Sequence, residues 1–156
     1  MCGLPGAGKT TVAKQIEVAR GAVRLCPDEW IYPLLEDHSD QIEMDRLRHH
    51  IEDLHWTLAQ RLLSLGVSVI LENGFWVRSE RAAFRKQAEA LGARVELHYE
   101  DAPRDELLRR IVQRNQNLGS GSFHVNAEQL DLWFDWFEAP TPEELGEFAQ
   151  PGDEQD

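Results

Sequence analysis

The sequence predicts an α/β domain built on a parallel sheet, and three observations predict it. A glycine-rich run, Gly3-Leu4-Pro5-Gly6-Ala7-Gly8-Lys9-Thr10, opens directly into a helical segment. Short β-branched apolar runs alternate with longer segments of helical periodicity. Between about Asp40 and Leu65, Leu47, Ile51, Leu54, Leu58, Leu62 and Leu65 recur at steps of three and four, the period of a helix. The length of 156 residues favours a single domain, expected over residues 1–150, with a disordered acidic tail over 151–156.

Thr10 to Arg20 reads as the first helix. Ala22 to Leu25 is a short apolar run closed by Pro27 and reads as a strand. The long helix that follows ends where Gly66 can cap it. Val67 to Leu71 is β-branched and of buried-strand type. Ser79 can cap a helix running through Leu91, closed by Gly92, and the alternation of Arg94 to Tyr99 reads as another strand. Pro103 suits the first turn of a helix to about Gln116. Gly119-Ser120-Gly121-Ser122 is a break, and Asn126 with Gln129 has capping-box spacing before a last helix that ends ahead of Pro140.

Composition excludes several classes. Hydrophobic residues make up 42% and charged residues 28%, an ordinary globular balance. No run approaches the ~18 apolar residues of a membrane span, and no basic-then-apolar leader opens the chain, so no membrane partner and a cytoplasmic location are expected. Cys2 and Cys26 have no metal or redox spacing and read as reduced packing residues. The net charge is −12; no lysine or arginine follows Arg114, whereas ten acids do. That tail would repel a nucleic-acid backbone, so nucleic acid is not an expected partner.

The glycine-rich run carries the strongest chemical signal. Its glycines let the backbone curl until the stretch Pro5-Gly6-Ala7-Gly8-Lys9-Thr10-Thr11 wraps phosphate oxygens, with the successive N–H groups that follow Pro5 pointing inward, in front of a positive helix terminus. Lys9 supplies a cation for the β- and γ-phosphates, and the Thr10 hydroxyl ligates Mg²⁺. The expected ligands are therefore ATP and Mg²⁺. Asp28 lies just past the C-terminal end of a strand, where it is either a base for a substrate hydroxyl or a helix cap. Glu72, at the end of the next strand, either holds a water of the Mg²⁺ shell or, like Asn73, caps a loop. Arg78 and Arg81 are either substrate contacts or exposed arginines at a helix start. Arg110 and Arg114 share a helical face beside the glycine-serine break, which suits a lid closing on ATP or, failing that, a solvated face. Trp133, Trp136 and Phe137 fall on one helical side and read as core packing, not as a base-stacking platform.

These residues together resemble a family, the small P-loop kinases related to phage polynucleotide kinase, chloramphenicol phosphotransferase and zeta toxin. The resemblance is carried by Gly3 to Thr10, by Pro27-Asp28-Glu29-Trp30, by Leu71-Glu72-Asn73-Gly74-Phe75-Trp76 with Arg81, by His98-Tyr99-Glu100-Asp101-Ala102-Pro103, and by Arg110 with Arg114 and Asn115. It implies a three-layer P-loop NTPase fold with parallel strands in the order 2-3-1-4-5, Asp28 as base, and Arg110 and Arg114 as lid arginines. Some relatives carry Asp where this chain has Glu72. A strand should precede the loop, yet only Met1 and Cys2 do, so an upstream segment, another part of the chain or a partner is expected in that central slot. No fifth strand is evident after the lid.

The leading functional expectation is an ATP-dependent kinase acting on a hydroxyl of a small molecule. The alternatives are an ATPase or nucleotide-dependent binding module without an acceptor, and a polynucleotide 5′-hydroxyl kinase.

Overall fold

A computed structural model of the chain describes residues 1–119 and 121–150. The acidic tail expected over 151–156, and Ser120 of the glycine-serine break, lie outside the described residues. The elements run α1 (Lys9–Arg20), β1 (Val23–Leu25), α2 (Pro27–Ile31), a 3₁₀ turn (Tyr32–Leu34), α3 (Gln41–Ser64), β2 (Val69–Leu71), α4 (Arg78–Ala90), α5 (Arg104–Asn115), α6 (Ala127–Trp136) and α7 (Pro142–Leu145). No described helix is long and apolar enough to cross a membrane.

The parallel sheet is present but short. β1 and β2 pair in register, Val23 with Val69 and Leu25 with Leu71. Cys2 then bridges Gly74 on one side and Tyr99 on the other, both in parallel sense, and Glu96 bridges Ala149. Met1 and Cys2 thus enter the slot that the sequence leaves short of a strand. The Met1 amino group donates to Leu71 O (2.8 Å), Cys2 N–H to His98 O (2.8 Å), and Glu100 N–H to Cys2 O (2.9 Å). The run from Arg94 to Tyr99, expected to be a strand, contributes isolated bridges only. Beside Met1 a cavity of about 140 Å³ lies between the sheet segments and helices α3 and α4, lined by Val69, Leu71, Val95, Leu97, Trp56 and Phe84. The phosphate-loop run Gly3–Thr10 does not line it.

The helices follow the sequence closely, with local corrections. Asp40 caps α3 by accepting from Glu43 N–H (3.0 Å), and Asn126 and Gln129 close a reciprocal capping box on α6. Ser79 does not cap α4; the helix starts at Arg78, whose N–H meets the Glu138 carboxylate (2.7 Å). Trp133 packs near Trp76 (ring centroids 5.7 Å), as a core residue should, but Trp136 turns outward and is 63% exposed. Two apolar clusters flank the loop. Leu4 and Ala7 pack with Leu107, Ile111, Val125 and Leu130, while Ile31, Leu35, Met44 and Ile51 pack with Phe123. Phe123 therefore ties the segment after α5 to the α2–α3 side of the domain.

Candidate active site

Backbone conformation builds the cradle. Gly3, Gly6 and Gly8 all have positive φ (137°, 85° and 111°), which curls the chain ahead of α1. Among the described residues, the N–H groups of Gly6, Gly8, Lys9 and Thr10 meet no carbonyl or side-chain acceptor, whereas those of Ala7 and Thr11 bond within the loop (Leu4 O, 3.2 Å; Gly8 O, 3.0 Å). Unpaired N–H groups on such a curve, at the N-terminus of a twelve-residue helix, fit a chain of phosphates. Pro5 holds the approach, and Thr11 is exposed on the first turn.

Thr10 and Glu72 are joined. The Thr10 hydroxyl donates to Glu72 Oε2 (2.6 Å), which leaves the hydroxyl oxygen's lone pairs for a cation. The other oxygen, Glu72 Oε1, accepts from Arg24 Nη1 (2.5 Å). Each oxygen of Glu72 thus accepts one hydrogen bond and its side chain is buried, which fixes the carboxylate beside the Thr10 hydroxyl. Arg24 is the residue that sequence reading missed here. Its buried guanidinium also binds Glu29 (2.7 Å) and Glu17 (3.2 Å), so one cation gathers α1, α2 and the end of β2.

Lys9 reports the charge of the neighbourhood. Its Nζ donates to Leu4 O (2.9 Å). Burial pushes its ammonium down to about 8, against the pull of Asp28, Glu72 and Cys2 and with the push of Arg114. Three other residues singled out in the sequence, Asp28, Glu72 and Arg114, thus act on the charge of Lys9. Asp28 is the second residue of α2, and the cap position belongs to Cys26, which makes no side-chain cap bond. The cap alternative for Asp28 thus falls. Its Oδ1 accepts from Arg48 Nη2 of α3 (2.5 Å), and Arg48 in turn lies 3.8 Å from Glu52. Burial pushes the Glu52 carboxyl up to about 7, opposed by Arg48 and aided by Glu80. Arg48 and Glu52 sit on a long polar-faced helix, where nothing in the sequence distinguishes them from solvated residues.

α5 lies against the loop. A Cβ on Gly6 would press on Ile111 and on the Leu107 carbonyl, each at 3.3 Å. That seating brings Arg110 Nη1 to the carbonyls of Gly6 (3.2 Å) and Ala7 (3.3 Å), with Arg110 Nε on Glu106 (2.6 Å). One turn on, Arg114 Nη2 donates to Phe123 O (3.3 Å) while its Nε is buried with no partner among the described residues. Arg81 is placed elsewhere. It is 2% exposed, and its guanidinium binds Glu144 at two points and the Phe75 carbonyl at a third (2.9 Å), so it is enclosed among α4, α7 and the Phe75 turn and not open at a surface. Arg78 likewise turns toward Glu144 and Glu147 (3.8 and 3.7 Å). Cys2 and Cys26 are free and buried, and burial pushes both thiols up to about 11, which keeps them unreactive.

The model of the AAA domain family matches residues 1–140. No curated protein matches the chain in sequence. The loop, the Thr10–Glu72 bond and the arginine-bearing helix seated on the loop all lie within that match, and the chain belongs to this AAA domain family of P-loop, kinase-like nucleotide-binding proteins.

Proposed function

We propose that this protein is an ATP-dependent kinase that passes the γ-phosphoryl group to a hydroxyl of a small molecule. The observation that carries the reading is Asp28. It is a half-open carboxylate whose charge is felt by the phosphate-loop lysine, with Oδ1 held by Arg48 and no partner on Oδ2 among the described residues. A base for a hydroxyl needs such a free oxygen. Bound Mg·ATP supplies the phosphoryl group and a divalent charge to offset it. The chain's own residues do the rest. Thr10 would offer its oxygen to Mg²⁺ while Glu72 accepts its O–H hydrogen bond, Lys9 would hold the phosphate charge, and Arg110 on the loop, with Arg114 one turn on, would meet charge that develops on transfer. Among the described residues no group of three or more His, Cys, Asp or Glu forms a metal site, so Mg²⁺ in this reading depends on Thr10 and the phosphates.

The net charge of −12 favours a small or cationic acceptor over nucleic acid. The free buried thiols support work in a reducing, cytoplasmic compartment. We also infer that the single bridges at Cys2, Tyr99 and Glu96 are the remnants of a sheet ordered 2-3-1-4-5, with Ala149 at the fifth position. The decisive test is a screen of small hydroxyl compounds with γ-labelled ATP. Label appearing in an organic phosphate, and lost in Asp28→Asn, supports the kinase. Rapid release of inorganic phosphate with no acceptor, unchanged in Asp28→Asn, supports an ATPase instead.

A further inference from the structure

Arg48 lies outside every motif that points to nucleotide chemistry, yet it touches the one carboxylate assigned a proton to move. α2 has only five residues, with Ile31 fully buried at its far end, so its first turn is poorly fixed by its own hydrogen bonds. Arg24 steadies the neighbouring Glu29 (2.7 Å). Among the described residues Asp28 is steadied by a side chain from α3 alone. Arg48 donates one N–H to Oδ1 and keeps its other arm toward Glu52, one turn further along the same helix. A guanidinium can grip a carboxylate at two points, as Arg81 grips Glu144 here. At Asp28 it does not, and the single-point contact leaves Oδ2 open. The charged groups that act with Asp28 come from three elements: Arg48 and Glu52 of α3, Lys9 of α1 and Arg114 of α5.

We infer that Arg48 is a positioning residue for phosphoryl transfer: it holds Asp28 turned so that Oδ2 faces the acceptor hydroxyl, while Glu52 keeps the guanidinium from swinging onto both oxygens. The inference rests on the reading of Asp28 as the base. It separates Arg48 from a residue that binds substrate, because Arg48 acts through another side chain. It also separates Arg48 from a plain tie between α2 and α3, because a tie would act equally whether or not residue 28 can accept a proton.

The test is a double-mutant cycle on the full chain, with Mg·ATP as nucleotide and two acceptors that need no prior identification, water and 1 M glycerol. Arg48→Met is expected to lower turnover with both acceptors about tenfold or more, the loss of a charge-assisted hydrogen bond, with KM for ATP changed less than about twofold. Arg48→Lys should recover part of the loss. In the Asp28→Asn background, Arg48→Met should have no further effect. Thermal unfolding of each variant shows that it is folded, and Arg48→Lys serves where Arg48→Met is not. An equal loss in both backgrounds, or a change confined to KM, overturns the inference. If Asp28→Asn lowers turnover but Arg48→Met and Arg48→Lys do not, the inference falls and the base survives. If Asp28→Asn leaves turnover unchanged, both fall.

Discussion

Arg81 and Glu144 form a two-point ion pair, 2.6 and 2.9 Å, with both side chains buried and the two residues 63 positions apart. The same guanidinium holds the carbonyl of Phe75, a non-glycine residue at positive φ (47°) in the loop that follows Glu72. The pair therefore anchors α7 and also props a strained turn next to the site. Glu144→Ala would leave a buried cation without its partner. The expected cost is about 3–5 kcal/mol of stability, the usual price of breaking a buried pair from one side, measured by denaturant unfolding. A loss below about 1 kcal/mol would mean that Arg81 finds water or another carboxylate.

Lys9 gives a pH dependence with a definite sign. Free protein holds its ammonium at about 8, below the 10.5 of an unfolded lysine, because burial disfavours the charge. Triphosphate favours the charged form. Binding should therefore take up a proton near and above pH 8, and ATP affinity should fall as pH rises through that region, by at most tenfold per unit. Titration calorimetry in two buffers of different ionisation enthalpy measures the uptake. Lys9→Ala should bind ATP more weakly and show neither the uptake nor the slope; if both persist in that variant, another group is responsible.

The glycines of the loop look equivalent in the sequence and are not so in the fold. A Cβ on Gly3 would overlap the Glu100 carbonyl oxygen, in the backbone segment that pairs with Cys2, whereas a Cβ on Gly8 meets nothing within 4 Å. Gly8→Ala should cost only the backbone strain of its φ of 111°, about 1–3 kcal/mol. Gly3→Ala adds a backbone displacement to that and should be the more destabilising of the two. Parallel thermal melts decide it, and equal losses would show that the Glu100 segment yields freely.

What the residues announce locally was legible. The curl from Gly3 to Thr10, the 3.6-residue period of α3 and the Asn126–Gln129 box each depend on neighbours in the chain, and each stands where the pattern predicts. Asp28 and Glu72 follow the same logic, since both lie at strand ends. What depended on distant partners was not legible. Arg81 reads as an exposed arginine at a helix start until Glu144 arrives from α7. Arg24 sits in a strand of three residues, and nothing there says that Glu17, Glu29 and Glu72 converge on it. α2 is too short for any periodicity to show, and Trp136 is helically in phase with Trp133 yet falls beyond the edge of the core.

Arg110 touches the loop and Arg114, one turn further along α5, does not, and the difference makes a last prediction. Arg110 is half-exposed and rests on two loop carbonyls at 3.2 and 3.3 Å, long neutral contacts that a phosphate oxygen would outcompete. Glu106 holds its Nε at 2.6 Å and so fixes the direction from which the guanidinium approaches. Arg114 is more enclosed: partial burial pushes its guanidinium down from the usual range, Asp28 draws it back up, and its Nε has no partner among the described residues. Both are thus under-satisfied until negative charge gathers over Lys9, and both should contribute more when charge moves than when it merely binds. Arg110→Ala and Arg114→Ala are each expected to lower kcat by about 10²-fold, with a smaller change in ATP affinity measured without acceptor. Glu106→Gln should lower kcat less than Arg110→Ala does, because it loosens the arginine's approach without removing its charge. If the two arginine variants keep wild-type kcat, the face of α5 over the loop is a solvated surface and transfer charge is met elsewhere.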